Sequence, residues 1–168
     1  MYLTRQNSKN VKLFFDFMPF RKKGRLDDIK LLKECDAGVQ MAISSIDEVL
    51  EKISDDQLKE LLEESREHHE KLAKEIRHQL IAADSSGKEP NLMAKGVSWI
   101  KTNVMIEMSD RSTESVVADL ITDGCNMGIK SLYRYQNQYS QAKHSAKEIS
   151  RRLIDIEEQL RHDMQKYL

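Results

Sequence analysis

The sequence predicts an all-α protein: an antiparallel four-helix bundle, two helical hairpins joined by a long crossover that contains a short helix. Three observations predict it. Apolar residues recur at helical period through four long stretches. The first and second stretches, and the third and fourth, are joined by short connections, which make antiparallel neighbours. Punctuation is sparse, with two prolines and six glycines in 168 residues, too few for the many turns of an all-β fold.

The first helix is expected over residues 26–53. Its stripe is Ile29, Leu32, Val39, Ile43, Ile46, Leu50 and Ile53, with Asp36 standing in the gap. The run Ser54-Asp-Asp-Gln57 breaks the stripe and offers a capping start for the second helix. That helix is expected over 55–83, with the stripe Leu58, Leu62, Ser65, His69, Leu72 and Ile76, and with Leu61 and His68 on its flank. The run Asp84-Ser-Ser-Gly-Lys-Glu-Pro90 is the clearest loop. Residues 91–110, with Met93, Val97, Trp99, Ile100, Val104, Met105, Ile106 and Met108, read as a short helix inside the crossover. The third helix is expected over 112–141, capped by Ser112 or Thr113. Its stripe is Val117 or Ala118, then Ile121, Cys125, Ile129, Leu132, Tyr135 and Tyr139. The fourth, over 142–167, carries Ile149, Leu153, Ile156, Leu160, Met164 and Tyr167.

The chain divides into an N-terminal arm, 1–25, and a bundle, 26–168. The net charge of −1 hides this division. The arm holds seven Lys/Arg against Asp16, a charge of +6, and the remainder, with 20 basic and 27 acidic residues, carries −7. Hydrophobic residues make up 39% and charged residues 33%, which fits long amphipathic helices with solvated outer faces. Cys35 and Cys125 have no metal-type spacing and are too few for a disulfide framework. Reduced thiols and a cytoplasmic location are therefore expected. Lys12 and Asp16 interrupt the only apolar run near the N-terminus, so no signal peptide is expected.

The two hairpins read as copies of one unit. Cys35-Asp-Ala-Gly38-Val39 in the first helix matches Cys125-Asn-Met-Gly128-Ile129 in the third. Glycine in mid-helix costs about 1 kcal/mol relative to alanine, so two at matching places predict a close approach of neighbouring backbones. With this repeat, residues 26–168 resemble the ferritin-like superfamily, in particular rubrerythrin-like bundles and small bacterial ferritin-like bundles of unknown function. The resemblance implies a Gly-Glu pair in the first and third helices, a Glu-x-x-His in the second and fourth, and two metal ions held at mid-bundle. Here the four carboxylate positions are Val39, Ser65, Ile129 and Gln159, while His68 and His162 stand at the two histidine positions. A buried carboxylate without its cation is costly, and aliphatic replacement at Val39 and Ile129 extends the core. No metal and no cofactor are therefore expected. A rearranged site for iron or zinc would draw on His68, His162, Glu64 and Asp36, with His69 and Asp123 nearby.

Glu64 and His68, four apart on one helix face, form a workable ligand pair; an ordinary charged face with one core-edge histidine is the simpler reading. Tyr133, Tyr135 and Tyr139 read as core or interface before they read as redox groups. There is no Gly-rich phosphate loop, nucleophile elbow or Cys-His pairing, so neither an enzyme nor a nucleic-acid partner is expected. The arm holds all four phenylalanines: Phe14, Phe15, Phe17 and Phe20. Aromatic anchors flanked by basic residues suit docking, and the expected partner is a second copy or another protein. Packing of the arm on its own bundle stays open, as does a lipid surface, which is less favoured. The resulting expectation is a non-catalytic bundle serving as a structural or interaction module. A metal-binding protein and a peripheral membrane-associated protein are the alternatives.

Overall fold

The first helix starts earlier than its stripe requires. In the computed structural model, which describes residues 18–83 and 110–168, α1 spans Met18–Leu50, not 26–53. Pro19 does not bar a helix in the N-terminal segment. It stands instead in the first turn, where its missing N–H would have no helical partner and its fixed φ already suits the helix. Helix α2 spans Asp56–Ala83, α3 spans Thr113–Gln138 and α4 spans His144–Met164, followed by a 3-10 turn over Gln165–Tyr167. Residues 84–109, where the crossover helix is expected, and residues 1–17, which hold Phe14, Phe15 and Phe17, lie outside the described residues. Phe20 falls in the first turns of α1.

The helix starts follow capping chemistry. Asp55 Oδ1 accepts the Leu58 N–H at 2.7 Å ahead of α2, and Ser112 Oγ accepts the Ser115 N–H at 3.2 Å ahead of α3. Lys143, the cap position of α4, makes no side-chain cap of its own. Asp28 of α1 substitutes for it, accepting the Lys143 N–H at 2.6 Å, while Asp27 accepts the Gln141 N–H at 3.2 Å. Both carboxylates are buried. Their negative charge lies beside the positive end of the α4 dipole.

Among the described residues the protein is all-helical, and the four helices pack as a bundle. α1 packs most extensively on α2, and α3 on α4; α1 also meets α3 and α4, and α2 meets α4. The core has two parts. One gathers Leu31, Leu32, Cys35 and Val39 of α1 with the C-terminal half of α2, the C-terminal half of α3 and the N-terminal half of α4. The other gathers Ile46 and Val49 with the N-terminal halves of α2 and α3 and with Leu160 and Met164. The buried face of α4 holds the expected Ile149, Leu153, Leu160 and Met164 and is wider than that line, adding Ala146, Ser150, Ile154 and Glu157, while Ile156 and Tyr167 are half-buried. No described helix is long and apolar enough to cross a membrane.

Candidate functional site

The residues at the metal-ligand positions implied by the resemblance do not converge. His68, Glu64, His162 and Gln159 are exposed on the outer faces of their helices, and Gln159 Nε2 donates to Asp163 Oδ1 at 2.9 Å. Val39 is fully buried, and Ile129 packs half-buried against the same cluster. Asp36 is buried, with its Oδ1 making no hydrogen bond among the described residues. Burial raises its pKa, and the Arg77 charge and a hydrogen bond from Gln40 oppose that rise. Asp123 is exposed.

A different histidine and a glutamate outside the expected set form the polar centre of the bundle. His69, on the inward face of α2 one position past His68, has no solvent exposure. Its Nδ1 lies 2.8 Å from the Ser65 carbonyl oxygen. A carbonyl only accepts, so Nδ1 carries a hydrogen and donates it. Its Nε2 then faces Glu157 Oε1 of α4 at 3.4 Å. Ser65 Oγ sits 3.5 Å from Nδ1 at the edge of this cluster.

The two cysteines flank this centre in separate parts of the core. Burial pushes the Cys35 thiol up to about 12, against a weaker opposing effect of its hydrogen bond with Ser150. Ser150 is itself buried and accepts from Gln136 Nε2 at 3.0 Å. Burial also raises the Cys125 thiol, and the charge of Glu157 and the hydrogen bond to it add to the rise. A thiol held protonated is a poor nucleophile and a poor metal ligand. Among the described residues no group of three or more His, Cys, Asp or Glu is placed to hold a metal ion. A di-metal centre needs several anionic oxygens. The mid-bundle donor set, one imidazole and one carboxylate already paired, does not fit it.

Gly38 and Gly128 do not mark a close approach of backbones, contrary to the expectation from the repeat. A Cβ at Gly38 would meet only Leu153 Cδ2, at 3.7 Å, and a Cβ at Gly128 only the Glu157 carboxyl, from 3.6 Å. Both are ordinary side-chain contacts with α4. The glycines instead help to open a groove of about 240 Å³ between α1 and α3, floored by Leu153, Glu157 and Leu160. Met41 and Met127 stand exposed at its rim, and Tyr135 closes one end. Tyr135 stacks on the buried Tyr139 with centroids 6.3 Å apart, while Tyr133 is exposed.

Among the described residues, fold and site together define an all-helical bundle with a buried His–Glu pair at its centre. No family model matches the chain, nor does any curated protein or solved structure.

Proposed function

We propose that the protein is a non-catalytic bundle of antiparallel, ferritin-like topology that works as a structural or protein-interaction module, self-associating or binding a protein partner through its basic, aromatic N-terminal segment. The topology is supported by the way the chain halves sort into the two core clusters: the start of α1 with the end of α2, the end of α3 and the start of α4. Two antiparallel hairpins joined by a crossover along the bundle would sort them so.

The observation that carries the non-catalytic reading is the occupancy of the bundle centre. Where a ferritin-like enzyme would need clustered carboxylates, this chain places Val39, Leu153, a capped histidine and one glutamate that the histidine already engages. Nothing there activates a nucleophile, because both thiols are held protonated. The metal-binding alternative lacks a donor set among the described residues, and no observation favours the membrane alternative.

Elemental analysis of protein purified without chelators, together with an iron-oxidation assay, tests the reading. The expected result is less than about one iron per chain and no ferroxidase turnover, for want of anionic ligands. Stoichiometric di-iron would overturn it.

A further inference from the structure

We propose that the groove between α1 and α3 binds a small organic amine, with the ammonium on the Glu157 carboxyl beneath Gly128 and the hydrocarbon part between the two helices. The walls are small or apolar: Ala37, Gly38 and Ala42 on α1, and Gly124, Gly128 and Leu132 on α3. They suit a hydrocarbon body. The exposed Met41 and Met127 at the rim are adaptable, polarisable side chains that pack well against an aromatic ring. The volume of about 240 Å³ is that of a small ligand, below the range of about 300–1,000 Å³ usual for drug-sized ones.

Charge selects the head group. Among the described residues, the lining holds two carboxylates, Glu157 at the floor and Glu34, and no Lys, Arg or His. Arg134 lies over the Tyr135 ring, 5.3 Å from its centroid, and Arg161 donates to Asn126 Oδ1 at 3.2 Å; neither belongs to the lining. A cleft of one sign with apolar walls concentrates its field on what enters it, so this one attracts a cation and rejects an anion. Glu157 has acceptor capacity for that cation. A carboxylate accepts at about four positions, and the contacts with His69 Nε2 and with the Cys125 thiol leave room for another donor.

Gly128 opens the way to it. Glycine inside a helix costs about 1 kcal/mol relative to alanine, and packing does not ask for it here. A Cβ at 128 would meet nothing closer than the Glu157 carboxyl at 3.6 Å, an ordinary contact. An alanine would fit, but it would cover the carboxyl from the groove side. With glycine, a carboxyl on a residue only 7% exposed stays within reach of a slender ammonium group. A helix of a second copy, about 10 Å across, is too broad to bring its backbone down to that floor, so a small molecule fits better.

Amide NMR titration of the full chain with benzylamine, benzyl alcohol and benzoate at neutral pH tests this. Benzylamine should give saturable shifts around Gly38 and Gly128, with a Kd of about a millimolar. Benzyl alcohol should bind about tenfold or more weakly, because the charge-assisted hydrogen bond is lost, and benzoate should not bind. Gly128→Ala should weaken benzylamine by about tenfold and leave benzyl alcohol nearly unchanged, with the fold retained because alanine favours the helix. Gly38→Ala adds the same methyl group over Leu153 instead and should keep the preference for amine over alcohol. No saturable shift with benzylamine would overturn the proposal, and that result needs no variant to fold. Equal affinity for amine and alcohol would overturn it too, by making the groove a purely apolar site. Shifts that follow protein concentration alone, with a dimer seen by light scattering, would give the groove to a second copy and overturn it as well.

Discussion

The carboxylate of Asp28, on α1, caps α4 through the backbone N–H of Lys143 at 2.6 Å. A helix here takes its N-terminal cap from another helix, and local sequence around 143 gives no sign of it. Asp28→Ala should cost about 1–2 kcal/mol, the range for losing a side-chain cap. Asp28→Asn keeps an acceptor oxygen and should recover most of that. Urea denaturation of both variants measures the difference; equal losses would mean that the charge, not the hydrogen bond, matters.

The His69–Glu157 pair should show strong non-additivity. His69→Leu or Glu157→Leu alone strands a buried polar partner and should destabilise by about 3 kcal/mol, whereas the double variant should lose far less than the sum. A double-mutant cycle by denaturant melts decides this, and simple additivity would mean that the 3.4 Å contact carries no coupling.

Asp36 gives a pH dependence whose sign can be worked out. Its folded-state pKa is raised, chiefly by burial, so in the interval above the unfolded value the folded chain binds the extra proton. Stability attributable to this group is then greatest below the unfolded pKa and falls as pH rises through the folded one. Asp36→Asn should therefore raise the melting temperature at pH 7 and lose that advantage on acidification towards pH 4. A difference between the two proteins that does not change with pH would refute the assignment.

The thiols should be silent in the native state. With Cys35 pushed up to about 12 and Cys125 higher still, iodoacetamide at pH 8 should label both about a hundredfold or more slowly compared with a free cysteine. Unfolding in urea should restore ordinary rates. A single fast-reacting native thiol, located by peptide mapping, would contradict the burial on which this rests.

Truncation should respect the start of α1. Because the helix begins at Met18 and Arg25 bonds to the end of α2, removing residues 1–17 is the clean deletion. Helical circular dichroism should be unchanged, while the size measured by light scattering should fall at low salt, where the basic segment meets the acidic body of a neighbouring copy. If full-length and truncated proteins have the same size and capture the same partners, the segment has no role in association.

What could be read from the sequence was periodicity. The apolar positions of α2 and α3 and the cap at Ser112 followed from spacing and capping rules applied locally. α1 starts at Met18, ahead of its apolar stripe, because Pro19 is well tolerated at a helix entry and apolar spacing alone does not mark that start. The bundle centre was harder. Ser65 and His69 are visible as polar members of the α2 stripe, but Glu157 lies beside the apolar line of Ile149, Leu153, Ile156 and Leu160 and not on it. Ala146, Ser150, Leu153, Glu157 and Leu160 recur at four and three over two heptads, the spacing that marks Glu157 as inward-facing. His68 was preferred to its neighbour because a resemblance supplied the frame, and one residue of helical rotation separates a core position from the surface. The caps from Asp27 and Asp28 join residues more than a hundred positions apart, and no local pattern announces such a pairing.

The interhelical caps also bear on how the molecule comes apart. Asp27 and Asp28 of α1 hold the turn between α3 and α4. At the other end, Glu114 of α3 accepts the Ser54 N–H at 3.3 Å in the turn between α1 and α2, and the Tyr167 hydroxyl donates to Asp55 at 3.3 Å. Each pair of helices, α1 with α2 and α3 with α4, thus has its turn fastened by the other pair. Neither can peel away without exposing the helix start that its partner secures, so partial opening at one end forfeits local helix stability there as well as core contact. Such a molecule is expected to melt as one unit, with little room for a half-detached helix pair that could exchange with a neighbour and propagate into swapped assemblies.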